Sequence, residues 1–360
     1  MNILEQTFDE FCVDIGRHYK KGAFHASAAY RAVFKKGAVS FSNLHEFADC
    51  RAFASRLSND IGQPPAGPSC SVMEGALIKF ASTLSDGNMI ESVIIPSPDR
   101  TTLCVSSQVG CRFGCGFCAT GAGGYVRDLT AGEIVAQVFS ARFTLKSRVD
   151  NLVYMGMGEP LDNFNNVVQS LRVVSDQRGL DIPLSRITIS TAGHADGMAR
   201  LAELNLKNLR VAISINAAND ALRKRLMPIN TLFPLATLKK ALCRYPLGAR
   251  GVFFIEYVVF AGVNDSREHA RQLADYVKGL PVRVNLIAYN SNAALPYVSP
   301  RPETMEQFRA WLAAEKLFVR IRRSHGQGIM AACGQLNRTA RSRVSIPIDR
   351  PCVPATNGSV

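Results

Sequence analysis

From about residue 100 to 325 the chain alternates β-branched runs with helical periods, and that alternation constrains its fold more than any other feature. The runs fall at 103–107, 151–155, 186–190, 209–215, 252–259 and 283–288. Continuous apolar runs of this kind belong to parallel strands covered on both faces. Helical spacing fills the intervals. Thr130-Ala-Gly-Glu133 reads as a capping box ahead of Ile134, Val135, Val138 and Phe139. A second helix follows Asn264-Asp265 through Ala270, Leu273, Ala274 and Val277. Six βα units predict an α/β fold, a partial (βα)6 TIM-like barrel with its chemistry at the C-terminal ends of the strands.

Directly after the first run stand Cys111, Cys115 and Cys118, spaced C-x3-C-x2-C with no fourth cysteine close behind. Thiolates suit iron–sulfur clusters and zinc. A full cubane takes four cysteines; three leave one iron without a protein ligand and able to bind a substrate. Gly114 and Gly116 let the loop turn tightly enough for the sulfurs to converge. The alternative is a zinc knuckle with a distant fourth ligand, and no His or Cys stands at knuckle spacing. The spacing resembles the cluster loop of the radical S-adenosylmethionine (SAM) enzymes, in which the open iron chelates SAM.

Small polar groups recur at the other strand ends. Gly156-Met-Gly158-Glu159-Pro160 follows the second run, and Glu159 is placed to accept from an ammonium group. Ser190-Thr-Ala-Gly193 ends the third, Ser214-Ile215-Asn216 the fourth and Tyr289-Asn290 the sixth. Each alone reads equally as a cap or turn; together, downstream of the cysteine loop, they point to a common ligand. Two further cysteines have unusual settings. Cys104 precedes Cys111 by seven residues, and Cys333 sits among small residues in Met330-Ala-Ala-Cys-Gly334, an accessible loop. Cys12, Cys50, Cys70 and Cys243 read as small buried hydrophobes, and Cys352 as a residue of the tail.

Residues 1–85 read as a small helical unit, with Phe8, Phe11, Cys12 and Ile15 at helical spacing and Ala23, Phe24, Ala28, Tyr30 and Val33 following more loosely. A Gly- and Pro-rich break spans 62–69. Stretches 76–81 and 90–95 then alternate as a hairpin around Ser85-Asp-Gly-Asn88, which places Glu91 at the start of a strand. Residues 86–340 form the catalytic domain, and 341–360, with three prolines, a flexible tail. The N-terminus lacks a signal-peptide pattern, and no apolar run approaches the roughly 20 residues that span a bilayer. Ten cysteines without an export signal suit a reducing compartment, so a cytoplasmic location is expected.

Forty-two Lys and Arg against twenty-nine Asp and Glu give a formal charge of +13. The basic residues cluster at Lys20-Lys21, Lys35-Lys36, Arg223-Lys-Arg225, Lys239-Lys240, Arg320–Arg323 and Arg338–Arg343. Such a surface attracts a polyanion such as RNA; a merely solvated basic surface is the plain alternative.

Seven stretches occur in one order: Cys104-Val-Ser-Ser-Gln, the Cys111–Cys118 loop running into Ala-Thr-Gly, Met155-Gly-Met-Gly-Glu-Pro160, Leu226-Met-Pro-Ile-Asn230, Gly262-Val-Asn-Asp265, Val284-Asn-Leu-Ile287 and Ala331-Ala-Cys-Gly-Gln-Leu336. Together they resemble the RlmN/Cfr family of radical SAM RNA methyltransferases, from about residue 90 to 338. The resemblance implies methylation of an adenine ring carbon, carbon 2 before carbon 8, in 23S ribosomal RNA and in tRNA. These carbons are too weakly nucleophilic to attack the methyl of SAM directly. In the family, Cys333 takes a methyl group from one SAM. A second SAM, bound to the 4Fe-4S cluster held by Cys111, Cys115 and Cys118, yields a deoxyadenosyl radical. That radical abstracts hydrogen from the S-methyl group, and the carbon radical adds to the base. Glu91, thirteen residues before Cys104, matches the proton acceptor, and Cys104 then attacks the Cys333 sulfur to release RNA and leave a disulfide. Gly158, Glu159, Ser190, Ser214, Ile215, Asn216 and Asn290 would hold SAM. The resemblance also implies two SAM per turnover, a flavodoxin or ferredoxin electron donor, thiol reductants and a monomer.

Two departures mark a divergent member. Asn216 stands where the family usually has His, and Gly328-Ile-Met330 replaces acidic-Ile-Asp beside Cys333, a loss of charge expected to lower the pKa of that thiol or to fit a different RNA. A radical SAM enzyme acting at carbon 8 or another RNA position is an alternative. A non-catalytic iron–sulfur protein that binds RNA or senses redox state is another, though it has no need of paired Cys104 and Cys333.

Overall fold

In the computed structural model the described residues are 1–336, except 63, 64, 66, 292–294, 323–325 and 327. The segment 341–360, read above as a tail, lies outside them. Three helices open the chain, α1 (Phe8–Tyr19), α2 (Ala23–Lys36) and α3 (Arg51–Ile61). Thr7 and Glu10 form a reciprocal capping box that starts α1, and Phe8, Phe11 and Ile15 are its buried stripe. Gly37 ends α2 in the left-handed conformation. The helices are fastened to the barrel: Phe8 N–H donates to Asp176 Oδ2 at 2.7 Å, and Gln169 Nε2 to Glu5 O at 2.8 Å.

The sheet begins at Cys70, inside the segment read as the helical unit. Strands β1 (Cys70–Glu74), β2 (Leu77–Thr83), β3 (Met89–Ser97) and β4 (Arg100–Cys104) are antiparallel neighbours, and β2–β3 is the expected hairpin. Next, β5 (Gln108–Gly110), α4 (Ala119–Ala122) and β6 (Tyr125–Asp128) form a two-stranded sheet that carries the cysteine loop, leading into α5 (Ala131–Phe139). The parallel part then unrolls in order: β7 (Asn151–Tyr154), α6 (Phe164–Ser175), β8 (Ile187–Thr191), α7 (Ala195–Glu203), β9 (Arg210–Ser214), α8 (Asp220–Leu226), α9 (Leu235–Arg244), β10 (Phe253–Val259), α10 (Arg267–Val277), β11 (Val282–Ala288), α11 (Pro302–Ala314) and β12 (Val319–Arg322). The ten-stranded sheet runs β1-β2-β3-β4-β7-β8-β9-β10-β11-β12 and is parallel from β4 onward.

The barrel class expected from the sequence is the observed one, extended by β12 at one edge and by β1–β3 at the other. Thr130 caps α5 with Glu133 as read, and Ser266 caps α10. Buried Val, Ile and Leu from every parallel strand but β12 pack under the helices. The four cysteines assigned to the core fit less well: Cys12, Cys50 and Cys70 are half-buried and Cys243 is exposed on the outer side of α9, because helical spacing there buries Leu238 and Leu242 instead. Among the described residues no helix is long and apolar enough to cross a membrane.

Candidate functional site

The cysteine loop leaves β5 and is pinned at three points. Cys111 N–H donates to Gly124 O, Gly116 N–H to Leu226 O and Cys118 N–H to Cys115 O, each at 3.0 Å. Gly114 takes φ +56°, a left-handed turn that glycine adopts without strain. As a result Cys111, Cys115 and Cys118 line one cavity at the C-terminal ends of the strands. The cavity is partly open to solvent and has a volume of about 170 Å³.

The donor set fits an iron–sulfur cluster. Burial pushes the Cys111 thiol up to about 12 and Cys115 well above its ordinary value, and the neighbouring thiols add to both. Buried thiols ionise beside one another only against a bound cationic centre. Among the described residues no group of three or more His, Cys, Asp or Glu is placed to hold a single metal ion, while Cys111, Cys115 and Cys118 line the cavity.

Gly158, Glu159, Ser190, Ser214, Asn216 and Asn290 line the same cavity. A Cβ on Gly158, at φ +99°, would meet Gln108 N at 2.8 Å, so only glycine lets the two backbones approach. Glu159 is buried; Oε2 accepts from Ala192 N–H at 2.7 Å and Oε1 from Leu161 N–H at 3.1 Å. Burial outweighs these bonds and raises its pKa to about 7. Ile215 does not line the cavity: its side chain is in the core, and its N–H donates to Glu256 O at 3.0 Å. Asn216 faces the cavity, but its polar atoms serve the fold. Oδ1 accepts from Val258 N–H at 2.8 Å, Nδ2 lies 3.2 Å from Met227 Sδ, and the residue takes φ +56°, a conformation Asn tolerates well.

Cys333 lines the cavity too, on a loop held against the cysteine loop: Ala119 N–H donates to Gly334 O at 2.7 Å and Thr120 Oγ1 to Leu336 O at 2.6 Å. Its surface is open, as expected of an accessible loop, yet the protein packed around the sulfur raises its pKa, and Arg322 pulls the other way. Burial outweighs the pull of Arg322. Cys104 ends β4, buried, its thiol pushed up to about 12 by burial and by Cys333. Both are free thiols.

Sheet register assembles the rest. Val93 of β3 pairs with Cys104 on one side and with Lys79 of β2 on the other. Directly paired residues share a face, so Lys79, Val93 and Cys104 form one row, and Glu91, two residues along β3, points the same way. Glu91 Oε1 lies 3.0 Å from Lys79 Nζ, both buried. Neither Glu91 nor Cys104 lines the cavity, but Lys79 Nζ reaches Met330 O on the Cys333 loop at 3.5 Å.

Several contributors had no motif to announce them. Glu256 of β10 faces the cavity, accepts from Asn285 Nδ2 at 2.8 Å and pairs with Arg322 of β12 at 3.4 Å. Burial raises its pKa against the pull of Arg322. A lone acid in the apolar run Phe253-Phe-Ile-Glu-Tyr-Val-Val259 was the available signal. Arg223, fully buried, clips Ala192 O, Ser214 O, Ile215 O and Asn230 Oδ1 beneath the cavity at 2.6, 3.3, 3.3 and 2.8 Å.

Comparison with known proteins agrees with this geometry. Residues 105–274 match the Radical SAM superfamily model. The chain is 46% identical to the dual-specificity RNA methyltransferase RlmN of Desulfotalea psychrophila, over 72% of this chain and 74% of that one. It is 36% identical to the enzyme of the same name from Nitratiruptor sp., over 93% and 97%. A crystal structure of a radical SAM methyltransferase from Sphaerobacter thermophilus superposes with a TM-score of 0.86 at 35% identity, covering 93% of this chain and 99% of the other. The chain thus belongs to the RlmN/Cfr family of radical SAM enzymes and is an RNA methyltransferase.

Proposed function

We propose that this enzyme methylates carbon 2 of an adenine in 23S ribosomal RNA, and in tRNA as well, using Cys333 as the methyl carrier. The observation that carries the reading is the convergence of Cys104, Glu91 and the Cys333 loop on one sheet face beside the three-cysteine cavity. The phrase "dual-specificity" in the relatives' names supports two RNA substrates.

Cys111, Cys115 and Cys118 would hold a 4Fe-4S cluster, and Gly158, Glu159, Ser190, Ser214 and Asn290 would seat SAM, with Asn216 and Ile215 shaping the strand end behind it. With both groups bound, one-electron cleavage of SAM supplies a radical able to take hydrogen from a methyl group. The residues of the chain do the remainder. Cys333 carries the methyl group as a thioether and bonds through its carbon to the base. Glu91 accepts the proton that leaves the ring carbon, and the unpaired electron left on the adduct would pass back to the bound cluster. The Cys104 thiolate then bonds the Cys333 sulfur, the sulfur–carbon bond breaks, and the released carbon takes a proton to become the new methyl group. A Cys104–Cys333 disulfide remains, which external thiols reduce by exchange. Two SAM are consumed per turnover, one to load Cys333 and one for the radical. A flavodoxin or ferredoxin supplies the electron, and the enzyme works as a cytoplasmic monomer.

Mass spectrometry of ribosomal RNA and tRNA from a deletion strain and its parent tests the reading. Loss of 2-methyladenosine from both pools is the expected result. An unchanged 2-methyladenosine content with loss of 8-methyladenosine would replace carbon 2 by carbon 8.

A further inference from the structure

Four arginines stand at the N-terminal ends of parallel strands, at the end of the barrel away from the cavity. Arg100 opens β4 and Arg210 opens β9, while Arg283 and Arg320 are the second residues of β11 and β12. Register puts them on one face. Arg210 pairs with Thr188, Thr188 with Val153, and Val153 with Cys104, four residues along β4 from Arg100. On the other side Phe254 pairs with both Ala212 and Arg283, and Asn285 pairs with Arg320. Residues two apart along a strand point the same way, so this is the inner face, which carries Ser190, Ser214 and Glu256 into the cavity. All four arginines are exposed, and among the described residues none of their side chains makes a hydrogen bond or an ion pair. The protein packed around Arg210 and the charges of Arg100 and Arg283 lower its pKa, so these cations act on one another. Phe318, 52% exposed, has the guanidiniums of Arg283 and Arg320 each 5.4 Å from its ring centre.

From this geometry we propose that the arginine rim is a second RNA-binding surface, which grips backbone phosphates of the substrate RNA far from the reacting base, with Phe318 as a platform for an unpaired base. The inference rests on the assignment as an RNA methyltransferase and not on which adenine or which ring carbon is methylated. Like charges held together without carboxylates make a region of positive potential that attracts polyanions. Arginine suits phosphate in particular, because its planar fork meets two oxygens at once. An exposed aromatic ring beside such cations is the arrangement on which single-stranded bases stack, and it favours nucleic acid over an acidic protein as the occupant. Along β11 from Arg283 to Tyr289, which lines the cavity, the span is about 20 Å at ~3.3 Å per residue. Contacts at the rim therefore add affinity for a long RNA without touching the base that reacts.

The test measures binding of bulk tRNA and of protein-free 23S ribosomal RNA to the cluster-reconstituted enzyme over a range of salt concentrations. Two double variants, Arg283→Gln with Arg320→Gln and Arg100→Gln with Arg210→Gln, are compared with the parent. The control is Arg271→Gln with Arg309→Gln, which removes the same charge from arginines already paired with Glu268 and Glu306. Each rim variant should bind both RNAs at least about fivefold more weakly at low salt, and its slope of log K against log salt should shrink by about 1.4–1.8, the loss of two phosphate contacts. The control should stay within about twofold of the parent, since exposed ion pairs contribute little. Phe318→Ala should weaken binding and keep the slope, which separates stacking from charge. Melting temperature and bound iron, measured on every variant, verify the fold. Unchanged affinity and slope in both rim variants would overturn the proposal and leave a solvated basic face. Unchanged RNA binding with slower reduction of the cluster by an acidic flavodoxin would overturn it in favour of a protein-docking surface. An equal loss in the control would reduce it to net charge alone and overturn it as well. Binding is read without turnover, so a parent that loses RNA on rim substitution yet forms no 2-methyladenosine refutes the carbon-2 reading and leaves the rim assignment standing.

Discussion

Arg322 Nη1 lies 3.4 Å from Glu256 Oε2, so β12 is tied to β10 across the intervening strand, whose Asn285 donates to the other carboxylate oxygen. Both members of the pair face the cavity, and the guanidinium lowers the pKa of Cys104 and of Cys333. One cation therefore acts on both thiols.

Arg322→Met should slow alkylation of Cys333 by iodoacetamide at pH 8, because the thiolate fraction falls when the cation is lost. It should also leave Glu256 buried without its counter-charge. The cost in stability is about 1–3 kcal/mol, below that of a fully buried pair because Arg322 is partly solvated. Chemical denaturation of the cluster-free protein measures it. An unchanged alkylation rate would separate Arg322 from the thiols.

Each single Cys→Ala change at Cys111, Cys115 or Cys118 should yield protein that binds little iron after anaerobic reconstitution and lacks the brown absorption of the parent. Iron and sulfide analysis decides it. Full iron occupancy in the Cys115→Ala protein would remove that residue from the ligand set.

Cys333→Ala should abolish RNA methylation and keep the iron content, while Cys104→Ala should stop after the base is joined to the protein. Denaturing gels with labelled RNA distinguish the two: no shifted band for the first, a stable shifted band for the second. Free release of methylated RNA by Cys104→Ala would end its role in resolving the adduct.

Glu159 supplies a pH dependence. Its folded pKa is raised by burial to about 7 from an ordinary 4.5. Its contribution to stability is thus whole below pH 4.5 and is lost as pH rises through 7. Ligand binding runs the opposite way, since an ammonium group needs the carboxylate. SAM affinity should rise by up to about tenfold per pH unit below pH 7 and level off above it. Calorimetry in buffers of different ionisation enthalpy should register proton release at pH 6, and Glu159→Gln should flatten the profile. A flat profile in the parent protein would mean that SAM does not engage this carboxylate.

The parallel strands and the capped α5 were legible because each is a local pattern: a β-branched run, or a Thr three residues ahead of a Glu. Glycines and small polar residues at strand ends were legible as a set, since the cavity collects strand ends. Pairings across strands were not. Lys79 and Glu91 stand twelve positions apart and meet only because the hairpin register sets Lys79 against Val93. Strand β12 was hidden by arginines alternating with Val319 and Ile321 at the edge of the sheet, where Arg322 turns to the cavity to pair with Glu256. Ile215 was read with its polar neighbours, but successive strand residues point to opposite faces, and its own points into the core.

The hydrogen bonds from Ala119 N–H and Thr120 Oγ1 tie the end of the cysteine loop to the Cys333 segment. The two loops therefore shift together, and a substitution that displaces Ala119 or Thr120 carries the Cys333 segment with it.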